Sequence, residues 1–180
     1  MLFTHDTEDA LAAMTALVNT AGEPDTLTTI AELEAFLAQF TYTGRIDRDA
    51  AELAELRELR VRLRQLFNTD EEGLVAHVNA LLRESQALPH VVRHDHFGWH
   101  LHATDDDQPL ATRIALESAM ARVDVLRADQ TQRLRRCEAP GCAGVLVDLS
   151  RNGSRRFCST TCGNRVAAAA YRARKAEQVE

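Results

Sequence analysis

The stretch that decides the architecture is Cys137-Glu138-Ala139-Pro140-Gly141-Cys142, followed after fourteen residues by Phe157-Cys158-Ser159-Thr160-Thr161-Cys162. It holds all 4 cysteines of a 180-residue chain, at the spacing Cys-x4-Cys-x15-Cys-x3-Cys. Two local pairs separated by a loop can converge on one tetrahedral cation, and thiolates suit zinc at about 2.3 Å. Pro140-Gly141 gives the first pair a tight turn whose amides point at sulfur. The second pair lies at i and i+4 at the start of a helix, with Ser159 as its N-cap. The positive end of that helix favours thiolates. Four cysteines leave no open position for a reacting water, so the expected cofactor is a single structural Zn²⁺ on Cys137, Cys142, Cys158 and Cys162. An iron–sulfur cluster is the alternative that four such thiols allow.

Between the pairs, residues 145–149 and 155–157 read as strands joined at Asn152-Gly153, a hairpin-turn dipeptide. Knuckle, hairpin and a helix carrying the last ligands make a treble-clef-like four-cysteine zinc module over residues 131–180. Beyond the last ligand, Gly163-Asn164-Arg165 runs into an alanine-rich helix bearing Arg172, Arg174 and Lys175. Together with Arg155, Arg156 and Arg165, these are the candidate DNA contacts, because the guanidinium fork suits phosphate and guanine. Asn164 is a further candidate through adenine. The competing role for Asn164 and Arg165 is to brace the ligands by hydrogen bonds.

Charge separates this module from the rest of the chain. Residues 1–130 hold 11 Arg/Lys and 23 Asp/Glu, a balance of −12, whereas residues 131–180 hold 10 and 4, a balance of +6. Zinc with four thiolates reduces the latter to roughly +4. A basic module on an acidic body is the layout of a nucleic-acid-binding protein, so DNA is the expected partner.

The body, residues 1–130, reads as mainly α with one β-hairpin, an α+β class. Leu11, Met14, Leu17 and Val18 share a helix face over residues 7–20, stopped at Gly22-Glu23-Pro24. Thr29 and Glu32 form a capping box before Ile30, Leu33, Phe36, Leu37 and Phe40. Asp47 opens the longest helix, with Leu53, Leu56, Leu59, Leu63, Leu66 and Phe67 inward and its Glu and Arg residues on a solvated face. Thr69 and Glu72 suggest a second capping box before Leu74, Val75, Val78 and Leu81. Residues 89–102 alternate as a hairpin rich in histidine. A last helix follows Pro109 and runs to about Gln130, with Leu110, Ile114, Leu116, Ala119, Val123 and Leu126 inward.

Trp99 is expected in the core and the hairpin histidines, including His94, His96 and His100, on exposed strands. Asn19-Thr20 reads as a helix terminus. The other role for Asn19, Trp99 and His100 is to line a ligand pocket, with a small-molecule effector. No apolar run approaches the ~18 residues of a membrane span, and the N-terminus carries acids instead of the basic and apolar segments of a secretory signal. A cytoplasmic location is expected. No glycine-rich phosphate loop, nucleophile elbow or helical His-x3-His pair is present, and nothing reads as an enzyme.

Through Cys137-x4-Cys142, Phe157-Cys158-Ser159 and Cys162-Gly163-Asn164-Arg165, the C-terminal part resembles the CGNR zinc-finger family, named for that tetrapeptide. The N-terminal part is similar to the family's companion domain through Leu17-Val18-Asn19-Thr20 and Trp99. The resemblance implies a bacterial transcription regulator, with the zinc module as DNA-binding element and the companion as a stress-related sensor domain. The basic tail is short and ends in Glu177 and Glu180, which favours a homodimer reading paired half-sites. Two other readings fit the same residues: a zinc-stapled protein-interaction module, and a small-molecule or metal sensor built on the 89–102 hairpin.

Overall fold

The computed structural model describes residues 2–94 and 98–177. His96, Glu180 and the side chains of His94 and Glu177 lie outside the described set. In chain order the elements are α1 (His5–Asn19), α2 (Ile30–Leu37), α3 (Ala50–Gln65), α4 (Glu71–Glu84), β1 (His90–His94), β2 (Gly98–His102) and α5 (Leu110–Arg127). A short 3-10 turn (Thr131–Arg133) then leads to β3 (Leu134–Arg136), β4 (Val145–Val147) and α6 (Thr160–Glu177).

Local chemistry sets the helix starts. At α2 the expected capping box forms: the Glu32 amide donates to Thr29 Oγ1 at 3.2 Å and the Thr29 amide to Glu32 Oε2 at 3.0 Å. α3 begins later than Asp47, because Asp49 is the cap and accepts from the Glu52 amide at 2.9 Å. At α4 the cap is Asp70, not Thr69: its carboxylate accepts from the Gly73 amide at 2.9 Å. Gly73 fits there because a Cβ would sit 1.8 Å from Thr69 Oγ1.

α5 is the centre of the body and packs on α1, α3 and α4. Leu11, Met14, Leu17, Leu56, Leu63, Leu74, Ile114 and Val125 fill the space between them. Two expectations fail on α3 and α4. Val75 is exposed, and the charged residues of α3 are not all solvated. Arg60 is only 5% exposed and clamps Asp25 through two hydrogen bonds of 2.8 and 2.5 Å, with Thr20 Oγ1 at 3.0 Å. That hydrogen bonding holds the Asp25 carboxyl down to about 2. Glu52 is buried as well, accepting from the amides of Asp47 and Arg48 at 3.1 and 2.8 Å.

The hairpin is antiparallel, with His90 opposite His102 and Arg93 opposite Trp99. That register puts Val91, Arg93, Trp99 and Leu101 on the outer face and His90, Val92, His100 and His102 on the inner one. Trp99 is therefore 70% exposed, contrary to the expected core position, with Arg93 stacked 5.7 Å over its ring. His100, expected on an exposed strand, is instead buried.

A second correction concerns the strands after Cys142. Residues 155–157 do not pair with β4. Its antiparallel partner is β3, with Leu134 opposite Val147 and Arg136 opposite Val145. Asp148 accounts for the change. Fully buried, it accepts from Ser150 N (3.0 Å), Ser150 Oγ (2.5 Å) and Arg155 N (2.7 Å), closing residues 148–155 into a loop. Arg133 pins the loop by donating to the carbonyls of Asp148 and Ser150, both at 2.8 Å. Val145 and Val147 enter the same core as the helices, and β4 packs on α1. Packing thus runs on continuously past residue 131. Among the described residues, no helix is long and apolar enough to cross a membrane.

Candidate functional site

The four cysteine sulfurs converge. Cys142, Cys158 and Cys162 Sγ stand 3.7 Å from one another, and all four sulfurs lie within 4.8 Å. A tetrahedron with zinc–sulfur bonds of about 2.3 Å has edges of about 3.8 Å, so the donor set matches zinc in both chemistry and spacing. The cluster is one zinc site. Cys137 and Cys142 come from the turn after β3, where Gly141 takes φ +72° and the Cys142 amide donates to the Ala139 carbonyl at 3.0 Å. Cys158 and Cys162 come from the entry to α6, where Ser159 Oγ accepts from the Cys162 amide at 3.1 Å as the sequence leads one to expect.

Backbone amides also serve the sulfurs: Gly144 N donates to Cys142 Sγ at 3.3 Å and Cys158 N to Cys137 Sγ at 3.4 Å. Gly144 escapes a motif reading, yet a Cβ there would lie 2.8 Å from Cys158 Sγ. Its position two residues after the second cysteine is the only sequence signal. Burial, then the neighbouring sulfurs, pushes the Cys158 thiol up to about 12. Against burial, the amides of Cys158 and Ala139 bring the Cys137 thiol down to about 7. Four thiolates this close repel, so a bound dication is what lets all of them ionise.

Three of the arginines flagged by the sequence brace this centre. Arg155 donates to the carbonyls of Phe157 (3.2 Å) and Cys158 (3.0 Å). Arg156 pairs with Glu138 at 2.6 Å and lies over the Phe157 ring. Arg165 donates to the Pro140 carbonyl at 3.3 Å and approaches Cys162 Sγ at 4.0 Å. Asn164 does not share that bracing role: it is exposed, and its side chain makes no hydrogen bond among the described residues. Arg172, Arg174 and Lys175 are exposed, and so is every residue from 167 to 176. The first turns of α6 are held, through Cys162 and Val166, in a small cluster with Ala139 and Phe157.

Besides the burial of Val145 and Val147 in the helical core, two side chains of the body hydrogen-bond to the module. Asn19, at the end of α1, gives its amide nitrogen to the Val145 carbonyl and takes the Val145 amide on its oxygen, both at 2.8 Å. Arg64 of α3 reaches the Ala143 carbonyl at 2.5 Å and the Val18 carbonyl at 2.8 Å. Neither role shows in the sequence, because the partners lie 126 and 79 residues away. The three residues expected to share a pocket are dispersed. His100 lines a cavity between α1, β2 and α5, while Asn19 and Trp99 do not line it.

A family model described as "CGNR zinc finger" matches residues 133–175. Another, described as "Putative stress-induced transcription regulator", matches residues 11–140. No curated protein matches the chain. The second model covers well over half of the sequence, so the body, its hydrogen-bonded zinc module and the family matches lead to one assignment. The chain belongs to the ABATE family, described as "Putative stress-induced transcription regulator", and carries a CGNR zinc finger with one zinc site.

Proposed function

We propose that the protein regulates transcription by binding DNA through α6, with zinc fixing that helix to the body. The observation that carries this reading is the combination of a basic helix exposed from residue 167 to 176 with a base packed and hydrogen-bonded around the four cysteines. A short helix with no packed face is marginal in water, so a rigid anchor at its start matters. Helical spacing puts Asn164, Ala168, Tyr171, Arg172 and Lys175 on one stripe. Arg172, Arg174 and Lys175 contact phosphates, and Asn164 reaches a base edge. Alanines at 167–170 let the helix sit close to the groove floor. Arg155, Arg156 and Arg165 support that surface from below. The acidic body, repelled by the duplex, sets orientation. A symmetric pair of chains supplies two such helices for paired half-sites.

The test is duplex binding by fluorescence anisotropy at two salt concentrations for wild type and the Arg172→Ala/Lys175→Ala variant. Each lost phosphate contact should weaken binding and make the salt slope shallower by about 1. Helix content and zinc stoichiometry should not change. Undiminished affinity with an unchanged slope would remove α6 from the interface.

A further inference from the structure

Alternation along the hairpin leaves it with one apolar face that nothing covers among the described residues. The inner side is committed to the body, with His100 buried and Val92 and His102 half-buried beside it. Trp99 and Leu101 therefore point outward, and a slip of one residue would expel His100. Across the hairpin, Val91 stands opposite Leu101 and Arg93 opposite Trp99. Val91 is 63% exposed and Leu101 48%. Leu88, at the open end of the hairpin, is 74% exposed, although its amide is tied to the Ala103 carbonyl at 2.8 Å.

Together Leu88, Val91, Trp99 and Leu101 leave on the order of 500 Å² of apolar surface in water, as much as the largest patch of a typical monomer, which is often functional. A standard interface takes about 800 Å² from each partner, so these side chains supply more than half of one. The composition fits as well. Tryptophan is favoured at the centre of interfaces, where one large ring carries much of the energy. Neither strand holds an aspartate or glutamate, whereas residues 1–130 hold 23 of them against 11 basic residues. Two such acidic bodies repel over most of their surface and least where carboxylates are absent. The same acidity turns away DNA and anionic lipid headgroups. The one permanent charge on the strands, Arg93, lies over the chain's own Trp99 ring.

We propose that this face is the contact between two copies of the chain, closing a homodimer about a two-fold axis with the hairpins stacked face to face. A two-fold contact uses the same patch twice and must be self-complementary, which an apolar face with a single shielded cation is. Stacked sheets sit about 10 Å apart, a depth that Val91, Trp99 and Leu101 of both copies fill. The modest area gives a dimer that dissociates in about the micromolar range. The contact stands without the DNA reading. Where that reading holds, it supplies the symmetric pair that paired half-sites need.

Trp99 is the only tryptophan of the chain, so its emission reports this face alone. The experiment is sedimentation equilibrium of the zinc-loaded full chain under reducing conditions, from about 1 to 100 μM, with tryptophan emission and acrylamide quenching on the same samples. The mass should rise from that of one chain towards twice that value. Over the same concentrations the emission should shift to the blue and quenching should fall. Leu101→Glu sets two like charges together in the contact, so it should weaken association by about tenfold or more and keep Trp99 open to quencher, with helix content unchanged. A single-chain mass at every concentration would overturn the dimer. Doubling of the mass with unchanged quenching, or undiminished association of Leu101→Glu, would overturn the hairpin as its interface.

Discussion

Arg122 is the least expected residue in the molecule. It is 0% exposed on α5 and makes no ion pair among the described residues. Nη1 donates to the Ser118 carbonyl of its own helix at 3.2 Å, Nη2 meets Met14 Sδ, and Nε has no partner. Burial pushes its pKa down to about 9, so at neutral pH the core still carries a cation. Removing such a charge relieves desolvation without orphaning a carboxylate. We expect Arg122→Met to raise the unfolding free energy by about 1–4 kcal/mol in urea titrations. The same change at Arg60 should lower it, because Asp25 would lose its partner. A destabilised Arg122→Met protein would show that the guanidinium is compensated after all. Arginines of these opposite kinds look alike in a sequence, where both fall on the polar positions of an amphipathic pattern.

At the scale of elements, the helices were legible and the strand pairing after Cys142 was not. Leucines at helical spacing and the Thr29–Glu32 pair locate α1, α2, α3 and α5 because those signals are local. The Asn152-Gly153 turn is also local, yet three hydrogen bonds to Asp148 and a three-residue partner strand override it. β3 is too short for alternation to reveal. The Asn19 clamp on β4 belongs to this scale. Asn19→Ala should cost about 1–3 kcal/mol, because it strips partners from both polar groups of Val145. Amide hydrogen exchange would report it as faster exchange at Val145, with zinc still bound. Unchanged protection there would mean that burial of Val145 and Val147 suffices to hold the strand.

For the whole molecule, cysteine spacing discloses the four zinc ligands, because metal geometry imposes a pattern that survives in sequence. The attachment of that site to the body stays hidden, since it rests on side chains of α1 and α3 far away in the chain. The result is a graded assembly. β4 belongs to the helical core, the sulfur cluster has its own small apolar set, and α6 extends from that set. Metal removal should therefore spare α1 to α5 and β4 while releasing α6. The most direct measurement is selection from random duplex DNA with the zinc-loaded protein, repeated after chelation. The account predicts one enriched motif that disappears with the metal while helical content falls only slightly. Equal enrichment before and after chelation, with zinc loss verified, would contradict it.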